Sequence, residues 1–312
     1  MKKQRLFGKI IALSLALCAF LSLLVPAYAA NGSSAQSWMA DIDGSLTLAQ
    51  FTVPGTHDSC TQYCLLGRCQ HVGIREQMNM GVRFLDIRLK NNGGKLNCYH
   101  SFINCLYSFD SVMKAVSSFL KAHPSECIIM SIKNEDEESA DFESVLVNQW
   151  IDSGTYKNLF YTEDRIPTLD EVRGRIVLLR RYTNYSQSLA RGIDARGGWS
   201  DNNTSHITRR GYTLKIQDIY SYDTIGLTFG NKKWKNFSAF DKAIAGNDPD
   251  TLYLNFASGC NSIGCGQLSC AVTVNNSLRK EFAKATGNHG IVIMDYVDHC
   301  LVSTVYAVNF RK

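Results

Sequence analysis

The chain has 312 residues and a formal net charge of +5, from 33 Lys and Arg against 28 Asp and Glu. That length admits one large domain or two small ones. Acidic residues such as Glu135 to Glu138 are interspersed with the basic ones, so the charge excludes a nucleic-acid-binding stripe and leaves only a weak bias toward anionic surfaces.

In chain order the first element is a targeting segment. Met1-Lys2-Lys3-Gln4-Arg5 is a basic head, Ile10 to Val25 an apolar stretch, and Ala27-Tyr28-Ala29 a small-x-small cleavage signal; together they read as a secretory signal peptide over 1–29, with the mature chain beginning near Ala30 or Asn31. A retained anchor is disfavoured because the apolar run is short for a span. Cys18 lies inside that run after Leu17 and does not fit a lipoprotein site. Its removal leaves ten cysteines, and for a secreted chain an even number makes disulfides the expectation. Zinc is the alternative, but Cys260, Cys265 and Cys270 lack the tight paired spacing of a structural site.

Eight short apolar runs follow: Leu48 to Val53, Val82 to Leu89, Leu96 to Tyr99, Cys127 to Ile132, Ile176 to Leu179, Thr213 to Ile216, Leu252 to Phe256 and Ile291 to Met294. Continuous apolar runs bounded by turn signals describe strands buried on both faces. Helical spacing lies between several of them, most clearly at Ser111 to His123 and Phe142 to Trp150, with Asp110 and Asp141 placed as N-caps. The alternation predicts an α/β fold: one TIM-like (β/α) barrel over residues 30–312, distorted or incompletely closed. An open doubly wound sheet is the competitor, and no glycine-rich phosphate loop after the first run supports it. Gly192 to Thr204 reads as a surface excursion.

Polar residues end the runs. His57 and Asp58 follow the first; Asp86 and Arg88 close the second, His100 the third, Lys133 and Glu135 the fourth, and Arg181 the fifth; Asp218 and Tyr220 follow the sixth and Asp295 the eighth. In a parallel barrel these positions converge on the C-terminal face, where such barrels keep their active sites. Two imidazoles, carboxylates and a guanidinium are what phosphodiester cleavage without a metal requires: a base, an acid, and a clamp for developing negative charge.

Val53-Pro54-Gly55-Thr56-His57-Asp58-Ser59, Phe84-Leu85-Asp86-Ile87-Arg88, Tyr99-His100, Pro124 to Lys133 and Gly174 to Tyr182 resemble the bacterial phosphatidylinositol-specific phospholipase C family. The likeness continues more sparsely through Ile216 to Tyr220, Tyr253 to Phe256 and Ile291 to Tyr296. The resemblance implies a phosphatidylinositol diacylglycerol-lyase that releases diacylglycerol and inositol 1,2-cyclic phosphate. It implies His57 as general base oriented by Asp295, His100 as general acid assisted by Asp58, Arg88 on the phosphate with Asp86 bracing it, and Lys133, Arg181, Asp218 and Tyr220 as the inositol pocket. It also implies phosphatidylinositol or a glycosylphosphatidylinositol in a membrane as partner, through peripheral contact, and an extracellular monomer. Metal-dependent relatives place an acidic calcium ligand at the equivalent of Arg88, so no metal and no cofactor are expected.

The sequence departs from that family in one respect. Membrane-binding members carry exposed tryptophans in a short helix after the first motif and in a rim loop; here Cys60 to Cys69 and Ser258 to Cys270 stand in those places without one. Disulfides there, with Leu65, Leu66, Ile263 and Leu268 as a smaller insertion surface, are the expectation. Two rival functions are a metal-dependent glycerophosphodiesterase, opposed by Arg88, and a non-catalytic inositol-lipid or glycan-anchor binding module, which has no need of both histidines.

Overall fold

The computed structural model describes residues 34–136, 139, 141–223, 227–244, 247–261 and 266–311; the expected signal peptide, Ile263 and Cys265 lie outside them. Its strands are β1 (Val53–Thr56), β2 (Phe84–Asn92), β3 (Lys95–His100), β4 (Ile103–Ser108), β5 (Ile128–Asn134), β6 (Phe160–Tyr161), β7 (Ile176–Arg181), β8 (Ile193–Asp194), β9 (Thr204–Arg209), β10 (Tyr212–Gln217), β11 (Ser221–Tyr222), β12 (Thr251–Phe256), β13 (Cys260–Asn261) and β14 (Ile291–Met294). The helices are α1 (Ile74–Met80), α2 (Phe109–Ala122), α3 (Phe142–Leu146), α4 (Leu169–Val172), α5 (Leu227–Lys242), α6 (Gln267–Phe282) and α7 (His299–Tyr306).

The main sheet runs β6, β7, β5, β2, β1, β14, β12, β10, β9, and every pairing on that path except β9 with β10 is parallel. First and last long strands are neighbours: Val53 pairs with Ile291 and Thr56 with Met294. Strand β8 adds to the free edge of β7. Among the described residues no pairing joins β8 to β9, so the barrel is open at one seam, as a distorted (β/α) barrel.

Two apolar layers explain why the strand runs are continuous rather than alternating. Phe84, Ile129, Val177, Leu214, Leu254 and Ile293 point inward to one buried cluster, whereas Leu85, Ile87, Met130, Leu178 and Val292 point outward to a second, shared with the helices. Each such side chain taken out of water is worth about 1.5–3 kcal/mol. Side chains alternate along a strand, so the inward series Phe84, Asp86, Arg88 carries apolar packing at the bottom of the barrel and charge at the top.

Two expectations are corrected. The run Leu96 to Tyr99 is not a barrel strand: β3 pairs antiparallel with β2 and with β4, forming a hairpin that extends β2 past the rim. Helix α2 begins at Phe109 with Ser108 as its N-cap, whose hydroxyl accepts the Ser111 N–H; Asp110 lies in the first turn, where it complements the helix dipole instead. Asp141 does precede α3, but its side chain makes no cap bond, and the helical run to Trp150 continues as a π turn from Val147 to Ile151.

Candidate active site

Strand register sets the level of each group. Arg88 lies beside Lys133, and Lys133 beside Arg181, so three cations from three neighbouring strands occupy one layer facing inward. Carboxylates balance them. Asp86, fully buried, accepts from Arg88 Nε at 3.0 Å and from Arg181 at 3.2 Å, and also from the Asp58 backbone N–H at 3.2 Å. Lys133 Nζ reaches both oxygens of Glu135 at 3.2 Å. Burial resists ionisation of Asp86, but Arg88 and Arg181 outweigh it and hold its carboxyl far below the usual carboxylate range. Burial likewise works against the charge on Arg88, and Asp58 and Asp86 more than reverse this.

At the end of β1 the chain turns sharply, with Asp58 at φ +43°. The turn is held by Ser59, whose backbone N–H donates to the Asp86 carbonyl and whose hydroxyl accepts the Asp86 N–H. This points His57 and Asp58 into the barrel mouth together. His57 Nδ1 lies 2.9 Å from Asp295 Oδ1, and its Nε2 lies 3.4 Å from Asp58 Oδ2. The same Asp58 oxygen lies 3.2 Å from His100 Nδ1, within ion-pairing distance though misaligned for a hydrogen bond. The other Asp58 oxygen is 3.0 Å from Arg88 Nε. One buried carboxylate thus stands among both imidazoles and the guanidinium.

Burial alone would favour neutral His57, but Asp295 and Asp58 together outweigh it and raise its pKa, while Arg88 pulls the other way. Burial raises the Asp295 carboxyl as well, partly offset by His57. With Asp295 accepting the Nδ1 proton, Nε2 is the atom left to accept another.

The structure therefore gathers His57, Asp58, Asp86, Arg88, His100 and Asp295 in direct contact, and sets Arg181 on Asp86 and Lys133 on Glu135. Asp218 enters through a residue that the sequence reading missed. Trp199, on the excursion 192–204, donates from Nε1 to Asp218 Oδ2 at 3.1 Å while its ring lies 3.6 Å under the Arg181 guanidinium. The same excursion fixes Tyr220, whose hydroxyl donates to Asp201 at 2.8 Å and whose N–H donates to Asn202. What reads as a surface excursion is one wall of the site. Glu135, 3.6 Å from Arg88, joins the cluster too. Tyr220 is held by the excursion rather than by the charged cluster.

Among the described residues one group has metal-ligand character: His57, Asp58 and Cys69 offer ligand atoms within 4.8 Å of one another. Arg88 beside Asp58 opposes a cation there. Among the described residues Cys60, Cys64, Cys69, Cys98, Cys105, Cys127, Cys270 and Cys300 are free thiols, so the disulfides expected of them are not formed in this structure, though Cys60 and Cys98 bring their sulfurs to 3.1 Å.

Comparison with known proteins gives a consistent picture. The family described as phosphatidylinositol-specific phospholipase C, X domain, matches residues 47–182. The 1-phosphatidylinositol phosphodiesterase of Listeria monocytogenes is 34% identical over 302 residues, covering 89% of this chain and 86% of that protein. Its namesake in Staphylococcus aureus strain Newman is 28% identical over 288 residues, covering 85% and 89%. A solved S. aureus phosphatidylinositol-specific phospholipase C, from work on its membrane binding, superposes with a TM-score of 0.78 at 27% identity over 88% of this chain and 98% of that one. The L. monocytogenes structure gives 0.71 at 26%, over 89% and 99%.

Proposed function

We propose, for a chain that belongs to the phosphatidylinositol-specific phospholipase C family, a secreted, metal-independent lyase. The enzyme cleaves phosphatidylinositol and works at a membrane surface. The finer reading concerns how. His57 Nε2 takes the proton of the inositol 2-hydroxyl, which attacks the adjacent phosphorus. Because the nucleophile belongs to the substrate, attack is intramolecular and needs no bound water. Asp295 fixes the imidazole and stabilises its charged form. Arg88 binds a non-bridging oxygen and meets the charge that develops there, held in place by Asp86. His100, set by Asp58, gives a proton to the departing diacylglycerol oxygen. The products are diacylglycerol and inositol 1,2-cyclic phosphate.

Lys133, Arg181, Asp218 and Tyr220 take the inositol: the charged groups bond ring hydroxyls and the tyrosine ring covers the sugar's apolar face. The 1–29 segment directs export, the 30–312 barrel acts as an extracellular monomer, and no nucleic acid is bound. Exposed apolar side chains near the mouth support a lipid-facing edge: Leu65 is 86% exposed, Leu66 73% and Leu268 55%, and Phe102 at 81% and Leu106 at 76% extend the edge along the β3–β4 hairpin.

The observation that carries this reading is the single carboxylate of Asp58 standing among both imidazoles and Arg88. A binding module has no use for that arrangement, and a metal-dependent diesterase would not put a guanidinium in its centre. Turnover of short-chain phosphatidylinositol in excess chelator, followed by phosphorus NMR, tests it. A cyclic product that survives chelation, and is lost in His57→Ala and His100→Ala, is expected; activity that requires a divalent ion, or an acyclic first product, refutes it. Running the assay on glycosylated anchors, which present the same diester, extends it to that substrate class.

A further inference from the structure

The hairpin that carries His100 is attached to the barrel on one side, where Leu89 to Asn92 of β2 pair with Lys95 to Cys98 of β3. On the other side it meets the segment 60–69, and the contacts there are thiols. Cys98 on β3 donates to Cys60 across 3.1 Å, both sulfurs buried. Cys105 on β4 lies beside Cys64, both buried and each near enough to bias the other's titration, with the Cys64 thiol donating to the Leu66 carbonyl at 2.8 Å. Two thiols of one segment thus face two of the other, in matching order. Between them lies the general-acid imidazole: a Cβ at Gly67, whose φ of +87° is in the left-handed region, would stand 3.0 Å from the His100 ring. Segment and hairpin fit together closely enough that any shift between them moves His100 relative to Asp58.

We propose that Cys60 with Cys98, and Cys64 with Cys105, are the sites of two disulfides that staple the hairpin to the segment after the first histidine motif and so set the position of His100. The 3.1 Å separation is about 1 Å longer than an S–S bond, a closure that small side-chain rotations supply. Each bond forms as two thiols give up two protons and two electrons to a small-molecule disulfide such as glutathione disulfide, which leaves as two thiols. Burial holds the folded thiols protonated, so the exchange takes place while the chain is folding, in the oxidising compartment that a secreted protein enters.

The consequence is specific to proton donation. A misplacement near 1 Å costs on the order of a hundredfold in a positioned step, but only where that step is needed. An alkoxide leaving group such as diacylglycerol needs a proton from His100, whereas a nitrophenolate leaves without one. The inference rests on His100 being the general acid, and the test separates the two claims.

The exported protein is alkylated without reduction, digested and mapped by mass. Linked peptides joining residues 60 with 98 and 64 with 105 are expected; alkylation of these four thiols, or other partners for them, overturns the staples whatever His100 does. The protein is then refolded with glutathione disulfide or with a phosphine reductant, alongside Cys60→Ala/Cys98→Ala and Cys64→Ala/Cys105→Ala. Loss of the staples lowers kcat on short-chain phosphatidylinositol at least tenfold and on a nitrophenyl inositol phosphate less than threefold. Equal losses on the two substrates, or none on either, overturn the positioning of His100 even when the linked peptides are found.

Discussion

Trp199 makes two contacts that share one consequence, and its removal tests how the proposed inositol pocket is held. Its ring lies 3.6 Å below the guanidinium of Arg181, which is 9% exposed, and its Nε1 donates to Asp218 Oδ2 at 3.1 Å. A cation over an indole in so dry a place is worth about 2 kcal/mol, and a hydrogen bond to a charged acceptor about 1.5–3 kcal/mol. Trp199→Phe keeps an aromatic face for Arg181 and the contact with Phe256, but loses the donor. Its KM on soluble short-chain phosphatidylinositol should rise about ten- to a hundredfold, since each 1.4 kcal/mol is a factor of ten. Trp199→Ala loses both contacts and should rise about a further thirtyfold. The effect belongs in KM, because neither partner touches the proton-transfer atoms, and the inhibition constant of free inositol should rise in parallel. A folded Trp199→Ala enzyme whose KM and inositol inhibition stay within twofold of the parent would show that Arg181 and Asp218 are held without it, or bind no inositol.

Asp295 and Arg88 push His57 in opposite directions, so Asp295→Asn and Arg88→Gln should move the acid limb of the kcat/KM profile oppositely. Removing Asp295 leaves burial dominant, the base loses its proton more readily, and the limb moves to lower pH while the rate falls about 10²–10⁴-fold. Removing Arg88 lifts a cation's repulsion, so the limb moves to higher pH, with a rate loss of about 10²–10³-fold from the missing phosphate clamp; limbs that move together would refute the account. Lys233 is fully buried between α5 and the sheet, donating to Gln217 and to the Ile219 carbonyl at the base of the Asp218 wall. Burial lowers its pKa from 10.5 to about 8, so its contribution to stability is full above 10.5, declines as pH falls and is lost by about 8. Denaturant unfolding of the parent should gain about 3 kcal/mol over Lys233→Met between those limits, and a pH-independent difference would refute this.

Much of this was legible in the sequence because the strands advertise themselves. Runs such as Ile176 to Leu179 are apolar at every position since both faces are buried, and the first polar residue after each run marks the barrel mouth. His57, Asp86, Arg88, Lys133, Arg181 and Asp295 were found in that way. Leu96 to Tyr99 misled because a hairpin strand packed on one side by helices has the same composition as a barrel strand, and direction leaves no mark on a six-residue segment. Trp199 escaped because it sits in a glycine-rich stretch with no periodicity, where only an isolated large aromatic signals a packing role. The cysteine pairing escaped for another reason: which thiols face each other depends on how the hairpin folds back, and nothing in their spacing encodes it.

The neighbouring of β1 and β14 bears on when the enzyme becomes dangerous. His57 and the Asp295 that orients it are 238 positions apart yet meet across one pair of adjacent strands. A chain emerging from its amino end therefore carries the proposed base, acid and phosphate clamp for most of the span between His57 and Asp295 without the dyad that would set the base to work. Competence arrives only when the last strand docks against the first. For a protein that destroys membrane lipid, such late arming keeps the nascent polypeptide inert while it is still beside the bilayer of the cell that makes it.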